Sequence, residues 1–355
     1  MQDLHSTGQD SQQEQAAFHV REAMPADNAA LLALDRQCVV AASTPVMFDR
    51  SPDFFARSRP YATWRVYVAE TDQGLIGVGA VALKTVIVGD RPLPAAYFYD
   101  LRVAPNFRRV GVAKAVGNAI RVHARSVSPA VAYSLVMEGN VPSLTFVQGR
   151  GSRSLRSCAL ALIPIETILP GEPAGLRALD ASEIPAALGL SRTAHRDLDL
   201  FPFPNASTLR DRIERVEGIG FRGLYAWESD GALAGCFGLW DYSPVMRMRI
   251  LEPTGEWSWT AGRDLHQVFL MPLGFREPEG IAEAVRLAVT CLRRDAESNA
   301  ACVLAIPHDL ADPAYTALDA FHPIRLGFRL FGVDLGGTGG LPIGARPAFV
   351  DPADL

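Results

Sequence analysis

The chain has 355 residues, 48% of them hydrophobic, which is enough for two domains with separate cores. Its 34 Lys and Arg against 39 Asp and Glu give a formal charge of −5, so the composition does not indicate a general nucleic-acid-binding surface. No apolar run approaches the ~20 residues of a membrane-spanning helix. Five widely spread cysteines suggest neither a disulfide framework nor a zinc motif. We therefore expect buried, reduced cysteines, a cytoplasmic location, and no metal, nucleic-acid or membrane partner.

The first predicted elements follow a polar, Gln-rich start. Residues 1–17 lack the cationic and apolar parts of a signal peptide, and we expect a disordered tail there. Residues 18–36 are typical of a short strand, a polar turn and an Ala/Leu helix that ends in Arg. From Tyr67, the sequence YVAETDQGLIGVGAV predicts a β-hairpin with a turn rich in Asp and Gly.

The next segment, from Ala96 to Ile120, is the most informative. It predicts a buried strand, a proline, a short loop and then a helix. No Asp or Glu occurs between Leu101 and Met137, whereas six basic residues do: Arg102, Arg108, Arg109, Lys114, Arg121 and Arg125. A loop of small residues that enters a helix presents free backbone N–H groups, and the helix dipole adds positive potential. This pattern predicts a pyrophosphate-binding cradle.

The cradle is neither a P-loop nor a dinucleotide fingerprint, because the glycine patterns of both are missing. It fits Arg-x-x-Gly-x-Ala at Arg108, Gly111 and Ala113, after the strand pattern Leu-x-Val-x-Pro that begins at Leu101 and ends at Pro105. This resembles the acyl-coenzyme A motif of the GCN5-related N-acetyltransferases, the GNAT superfamily.

A second family feature follows at the expected distance. An apolar strand, Ala130 to Met137, leads into a segment that matches the family pattern Asn-x-x-Ala-x-x-Leu/Phe-Tyr-x-x-x-Gly-Phe. The matching residues are Asn140, Ser143, Phe146 and Gly151. Two positions depart from it: Val147 replaces a tyrosine that protonates the leaving thiolate in many members, and Ser152 replaces the closing aromatic residue.

The resemblance implies how acetyl-CoA binds. Two central parallel strands splay apart, the pantetheine arm pairs with the freed edge at Leu101 to Val103, and the loop amides hold the pyrophosphate. Asn140 is a further contact for the pantetheine arm or the thioester. The residues assigned to the coenzyme are Leu101, Arg102, Val103, Arg108, Arg109, Val110, Gly111, Val112, Ala113, Asn140, Ser143 and Phe146.

Catalysis requires a neutral amine, because an ammonium group with a pKa near 10 is not nucleophilic. Asp100, directly before the coenzyme edge, is the first candidate for the base, and Glu138 at the end of the next strand is the second. Tyr99 and Tyr97 lie on the face opposite Asp100 if the strand alternates regularly. A tyrosine there could orient the amine or protonate the thiolate. Asp100 could instead pair with Arg102 or cap a backbone group.

The chain also repeats itself. Residues 174–192 resemble residues 18–36, and YAWESDGALAGCFGL from Tyr225 resembles the hairpin from Tyr67. The sequence that begins at Gly280 resembles the helix start at Gly111. We therefore predict an α/β fold of two tandem GNAT-like domains, residues 18–165 and 174–335, each with a mixed central β-sheet flanked by helices. Residues 336–355 are expected to be an irregular, peripheral tail.

The second copy has a damaged cradle, since Glu277, Pro278 and Glu279 stand before its glycine. A proline removes a backbone donor, and carboxylates repel a pyrophosphate. We therefore expect one acyl-CoA site, in the N-terminal domain, with the second domain as a scaffold or as a wall of the substrate site.

The sequence favours an N-acetyltransferase that moves an acetyl group from acetyl-CoA to a primary amine of a small molecule or peptide. Two alternatives remain. One is a non-catalytic acyl-CoA sensor, suggested by Val147. The other is aminoacyl transfer from tRNA, which some tandem GNAT-like proteins perform and which the short cationic cradle does not favour. Variable loops build the acceptor pocket in the superfamily that the chain resembles, and here we expect Thr44 to Tyr61 and Arg196 to Thr208 to form it. The acceptor itself, the acyl-chain length and the oligomeric state stay open.

Overall fold

The computed structural model describes residues 17–40, 42–172, 175–294, 303–336 and 340–355. The predicted disordered tail lies outside these residues except for residue 17. The α-helices of the described ranges are α1 (Asn28–Gln37), α2 (Val112–Arg125), α3 (Val141–Gly149), α4 (Ile184–Ala194), α5 (Ala206–Glu217) and α6 (Gly280–Arg294). The strands are β1 (His19–Glu22), β2 (Val46–Asp49), β3 (Thr63–Thr71), β4 (Gly74–Val88), β5 (Arg91–Val103), β6 (Val131–Met137), β7 (Arg153–Pro164), β8 (Arg177–Ala178), β9 (Phe221–Ser229), β10 (Ala232–Asp241), β11 (Arg247–Ile250), β12 (Gln267–Phe275), β13 (Val303–Asp309) and β14 (Ile324–Gly332).

The elements occur twice in the same order, which confirms the tandem arrangement. In the first repeat a strand and helix (β1, α1) precede a hairpin (β3–β4), a strand (β5), a helix (α2) and a parallel strand (β6). In the second repeat β8, α4, β9–β10, β12, α6 and β13 follow the same plan. The parallel pairs are β5 with β6 and β12 with β13, while the hairpins are antiparallel.

The two repeats share one twelve-stranded sheet, in the order β1-β3-β4-β5-β6-β14-β7-β13-β12-β10-β9-β8. The last strand of each repeat pairs with the other repeat. β14 of the second repeat lies against β6, and β7 of the first lies against β13. β7 and β14 pair with each other at the centre. The sequence repeat did not reveal this exchange, which makes the sheet continuous.

Helix α2 packs directly on β4 because the strand carries two glycines beneath it. Its buried residues recur every fourth position, so one face of the helix is apolar: Val112, Val116, Ile120 and Ala124. A Cβ at Gly77 would stand 2.5 Å from Val112 Cγ1, and one at Gly79 would stand 2.8 Å from Val116 Cγ1. The glycines therefore set the depth at which α2 lies on the sheet.

The expectation that the last segment is peripheral is wrong. Its end is buried: Asp351 to Asp354 lie in a core cluster to which both repeats contribute, and Asp351 pairs with Arg212 of α5. The carboxylate of Asp354 accepts hydrogen bonds from Lys84, Tyr61 and Tyr133 at 2.7–2.9 Å. The sequence of this segment, rich in glycine and proline, indicated its irregular backbone and not its burial. Its buried acidic side chains are stabilised by cations and phenols that are distant in the chain.

Candidate active site

The parallel strands β5 and β6 separate shortly after they begin to pair. They pair over three residues each, and the last pair is Tyr97 with Tyr133. Beyond that point β5 runs on to Val103, and β6 runs on to Met137 against β14. The edge from Leu101 to Val103 is thus separated from β6, as the resemblance implied. Its Val103 carbonyl accepts a hydrogen bond from the Cys38 thiol at 3.5 Å and from Arg108 Nε at 3.4 Å.

The N-terminus of α2 faces the gap between these strands. Gly111 is its N-cap, with a φ of 95° that favours glycine, and it supplies no side-chain acceptor to the first turn. Arg109 also has a positive φ, 69°, and Arg108 and Arg109 are both exposed beside the helix start. An uncapped first turn with cationic side chains around it is a suitable site for an anion.

Helix α3 forms the neighbouring wall. Its N-cap is Asn140, whose Oδ1 accepts from the Ser143 backbone N–H at 3.4 Å. The ring of Phe146 packs against Gly117 of α2, where an added Cβ would lie 3.2 Å from the ring. The motif residues of α3 therefore fix the helix beside the cradle.

These elements surround one cavity of about 930 Å³. Eleven of the twelve residues that the sequence assigned to the coenzyme line it, and Val110 is exposed beside it. The cavity runs from the cradle through the splay to an inner end with side chains of the second repeat, Met246, Met248 and Gln267.

No group of three or more potential metal ligands occurs among the described residues. The same residues include no helix long and apolar enough to cross a membrane.

Asp100 lies at the splay on a β-bulge. Its φ is 56°, and the pairing of β4 with β5 shifts register there, so that Val78 faces Arg102 while Ala80 faces Tyr99. The bulge breaks the alternation of the strand. Asp100 and Tyr99 both contact Arg57, so the expectation that they lie on opposite faces is wrong.

The carboxylate of Asp100 is held by two buried arginines. Its Oδ1 accepts from Arg50 Nη2 at 2.8 Å and from Arg57 Nε at 3.3 Å. Among the described residues nothing donates to Oδ2. Arg102 instead pairs with Asp35 of α1, and burial lowers its pKa to about 10. Asp100 therefore lines the cavity in a fixed orientation with one oxygen available to a ligand.

The other two catalytic candidates differ in position. Tyr99 lines the cavity, stacks on Tyr97 and donates to Ser58 Oγ at 2.8 Å. Burial raises the pKa of both phenols, so they remain protonated at neutral pH. Glu138 is not among the residues that line the cavity. It forms a half-exposed ion pair with Arg329 of β14 at 2.8 Å, which directs its carboxylate away from the splay.

No family model and no curated protein sequence matches the chain. Solved structures do. A tandem GNAT protein from the clavulanic acid biosynthesis pathway superposes with a TM-score of 0.60 and 16% identity over 91% of this chain and all of that one. The chain has the tandem GNAT fold. Saccharomyces cerevisiae N-myristoyltransferase with bound myristoyl-CoA matches at a TM-score of 0.65 and 13% identity, over 94% of this chain and 85% of that one. A GCN5-related N-acetyltransferase from Kribbella flavida matches at 0.50 and 13%, over 89% and 70%.

The second GNAT repeat has no comparable cradle. The backbone N–H groups at the start of α6 are occupied by the turn before it, since Gly280, Ile281 and Ala282 donate to the carbonyls of Glu277, Pro278 and Glu279. In this repeat β12 is buried at every residue, and Phe275 fills the space above Gly280. These contacts support the prediction of a single coenzyme site in the first repeat.

Sequence reasoning missed several residues of the GNAT cavity. Arg50 and Arg57 lie in the segment Thr44 to Tyr61, which was expected to form part of the acceptor pocket although neither arginine was singled out, and Cys38 follows the end of α1. Asp354 reaches the cavity from the segment that was expected to be peripheral. A buried arginine can be recognised only when its partners in the fold are known. These individual residues could therefore not be identified as site residues from the sequence.

Proposed function

We propose that the protein is an N-acyltransferase that moves an acetyl group from acetyl-CoA to a primary amine, with its active site in the first repeat. The observation that carries this proposal is one cavity that joins the splayed strands, the uncapped start of α2 and Asp100. A scaffold without such a role has no reason to keep a first helical turn open beside two exposed arginines.

The residues present fit the coenzyme. The first-turn amides of α2, with Arg108 and Arg109, would hold its pyrophosphate, and the β5 edge would hold the pantetheine arm. Acetyl-CoA supplies the activated acyl group. The apolar inner wall would also accept a longer acyl chain, and the bound myristoyl-CoA of the yeast neighbour makes that a case to test.

Asp100 would take the proton that makes the amine nucleophilic. Arg50 and Arg57 occupy Oδ1, so the proton goes to Oδ2. The amine nitrogen then bonds to the thioester carbon, and the carbon–sulfur bond breaks. The nitrogen gives up its second proton as the amide forms, and the leaving thiolate takes up one proton, so a group that donates to the sulfur is restored by the proton from the nitrogen. Val147 cannot give one. Tyr99 and Tyr97 line the same cavity with protonated hydroxyl groups, and a phenol of this pair would act in its place.

The test is a calorimetric titration of acetyl-CoA into the wild-type protein and into Arg108→Glu. Arg196→Glu is the control, because its side chain is 75% exposed and lies in the other repeat. We expect one site per chain, lost by at least about a hundredfold in Arg108→Glu, where an attractive contact to phosphate becomes a repulsive one. Unchanged affinity in that variant would place the coenzyme elsewhere.

A thiol-release assay with a panel of primary amines, repeated with acetyl-CoA and myristoyl-CoA, separates the enzyme from its alternative. Amine-dependent release of CoA is expected of the acyltransferase. Tight coenzyme binding with no release for any amine would favour the non-catalytic sensor, in agreement with Val147 at the position of the missing tyrosine.

A further inference from the structure

The inner end of the cavity contains polar hydrogen atoms without acceptors. Arg50 and Arg57 both line it, with side chains 2% and 5% exposed. Within the described part of the chain, Arg50 Nε and Arg57 Nη1 have no hydrogen-bond partner. Buried donors are rarely left unpaired, so these two nitrogens of cavity-lining arginines indicate that a ligand supplies the acceptors.

The buried charges around this point do not balance. Among the side chains, Arg50, Arg57 and Arg102 face the carboxylates of Asp35 and Asp100, which leaves one positive side-chain charge in excess. The adjoining group is balanced, with two cations against two carboxylates, and does not offset the excess: Lys84, Arg212, Asp351 and Asp354. A buried charge is strongly destabilising unless it is paired. The cavity is therefore complementary to a single negative charge.

The position of the excess charge relates it to the reaction. The Arg57 guanidinium lies over the ring of Tyr99, 5.2 Å from its centroid, and its Nε bonds Asp100. An anion at Arg57 Nη1 thus lies next to the carboxylate proposed to deprotonate the amine. Only a few bonds can separate a negative group at the arginines from an amino group at Asp100.

We propose that the acceptor is an amine that also carries a carboxylate, as an amino acid does, and that Arg57 and Arg50 bind this carboxylate. The inference rests on the proposed function, because it names the substrate class of the same site. Guanidinium groups match planar carboxylates in geometry, and this favours a carboxylate over a phosphate.

The first test measures binding without turnover. The melting temperature of the CoA-saturated protein is compared in sodium propionate, propylamine hydrochloride, sodium phosphate and sodium chloride at equal ionic strength. Propionate should raise it above the chloride control, since a ligand that binds only the native state stabilises it. The rise should be absent in Arg57→Gln and kept in Arg59→Gln, a 53% exposed arginine two residues away. No rise with propionate, or an equal rise in Arg57→Gln, would overturn the proposal; a rise with phosphate alone would reassign the anion.

The second test measures turnover with matched acceptors: L-leucine against isopentylamine and L-phenylalanine against phenethylamine. The amino acid should have the higher kcat/KM, by about tenfold to hundredfold, and Arg57→Gln should reduce that ratio to near unity. Arg57→Lys keeps the charge beside Asp100 without the planar fork, and should retain part of the preference. Amines that react as well as the amino acids, or a ratio unchanged in Arg57→Gln, would refute the carboxylate site. Titration with acetyl-CoA is unaffected by this outcome, so failure of the carboxylate site and failure of coenzyme binding are distinguished.

Discussion

Gly79 on β4 determines how closely α2, and with it the coenzyme cradle, approaches the sheet. Replacement with alanine would place a Cβ 2.8 Å from Val116 Cγ1 and 3.3 Å from Leu101 Cδ1. Carbon atoms prefer a separation of about 3.5–4.0 Å, so α2 must rise by roughly 0.7 Å or more. Val116 is fully buried and β-branched, and a change of rotamer would not relieve the contact cheaply.

The overpacked Gly79→Ala protein should be less stable by about 1–3 kcal/mol, the usual cost of an added methyl group in a packed core. Its melting temperature should fall by several degrees. Val116 is one turn from the start of α2, so the first-turn amides move with it. Displacement of binding groups by about 1 Å costs up to a hundredfold, and we expect the affinity for acetyl-CoA to fall by at least about tenfold.

The assay is a thermal melt combined with calorimetric titration of acetyl-CoA. Gly189→Ala is the matched control, because Gly189 lies within α4 and its added Cβ meets no atom within 4 Å. That variant should gain about 0.5–1 kcal/mol from helix propensity and bind acetyl-CoA as before. A Gly79→Ala protein with wild-type melting temperature and affinity would refute the link between helix depth and coenzyme binding.

Three further predictions concern ionisable groups. Asp100→Asn should lower kcat by at least about a hundredfold with little effect on acetyl-CoA affinity, whereas Glu138→Gln should leave kcat near the wild-type value. Burial raises the pKa of the Cys38 thiol, so its alkylation by iodoacetamide should be slow at pH 7 and faster as the pH rises. Acetyl-CoA should block this alkylation, because Cys38 lines the cavity. Cys291 is the control: it is half-buried and outside the cavity, so acetyl-CoA should not protect it. Burial lowers the pKa of His195 to about 4, so below about pH 6.5 the unfolded chain binds a proton that the native state does not. The free energy of unfolding should therefore fall by up to about 3 kcal/mol as the pH is lowered from 6.5 to 4.

Each of these has an outcome that contradicts it. Full activity in Asp100→Asn together with a slow Glu138→Gln enzyme would transfer the role of base to Glu138. Equal protection of both cysteines would mean that acetyl-CoA acts through general stabilisation and not by covering Cys38. For the histidine, melting temperatures that fall equally with pH in wild type and His195→Gln would assign the acid sensitivity to other groups.

The cavity wall formed by β5 and the start of α2 could be predicted because its parts are contiguous. Strand, loop and helix follow one another from Leu101 to Ala113, and backbone amides need only the right turn, which Gly111 permits. The fold class was predictable for a related reason, since the order of hairpins and helices is repeated in the chain.

The other half of the site could not be predicted. Arg50 and Arg57 come from the loop region after β2 and acquire meaning only through their contacts with Asp100 on β5. The bulge at Asp100 moves that side chain to the other face of β5, and the surrounding apolar residues show no pattern that indicates the bulge. The residues of β7 and β14 do not themselves indicate a neighbour, so the exchange of these strands between the repeats had no signal in the sequence.

The exchange of β7 and β14 has a consequence for synthesis on the ribosome. β6, which forms one side of the splay, receives its second neighbour from β14, whose Phe328 pairs with Met137 roughly 190 residues earlier in the chain. A nascent chain that has completed every coenzyme motif still exposes the edge of β6 and an unpaired β7, both of which invite association with other chains. The first repeat therefore cannot mature ahead of the second, and a prematurely terminated chain would contain the whole coenzyme motif without the strand that supports it.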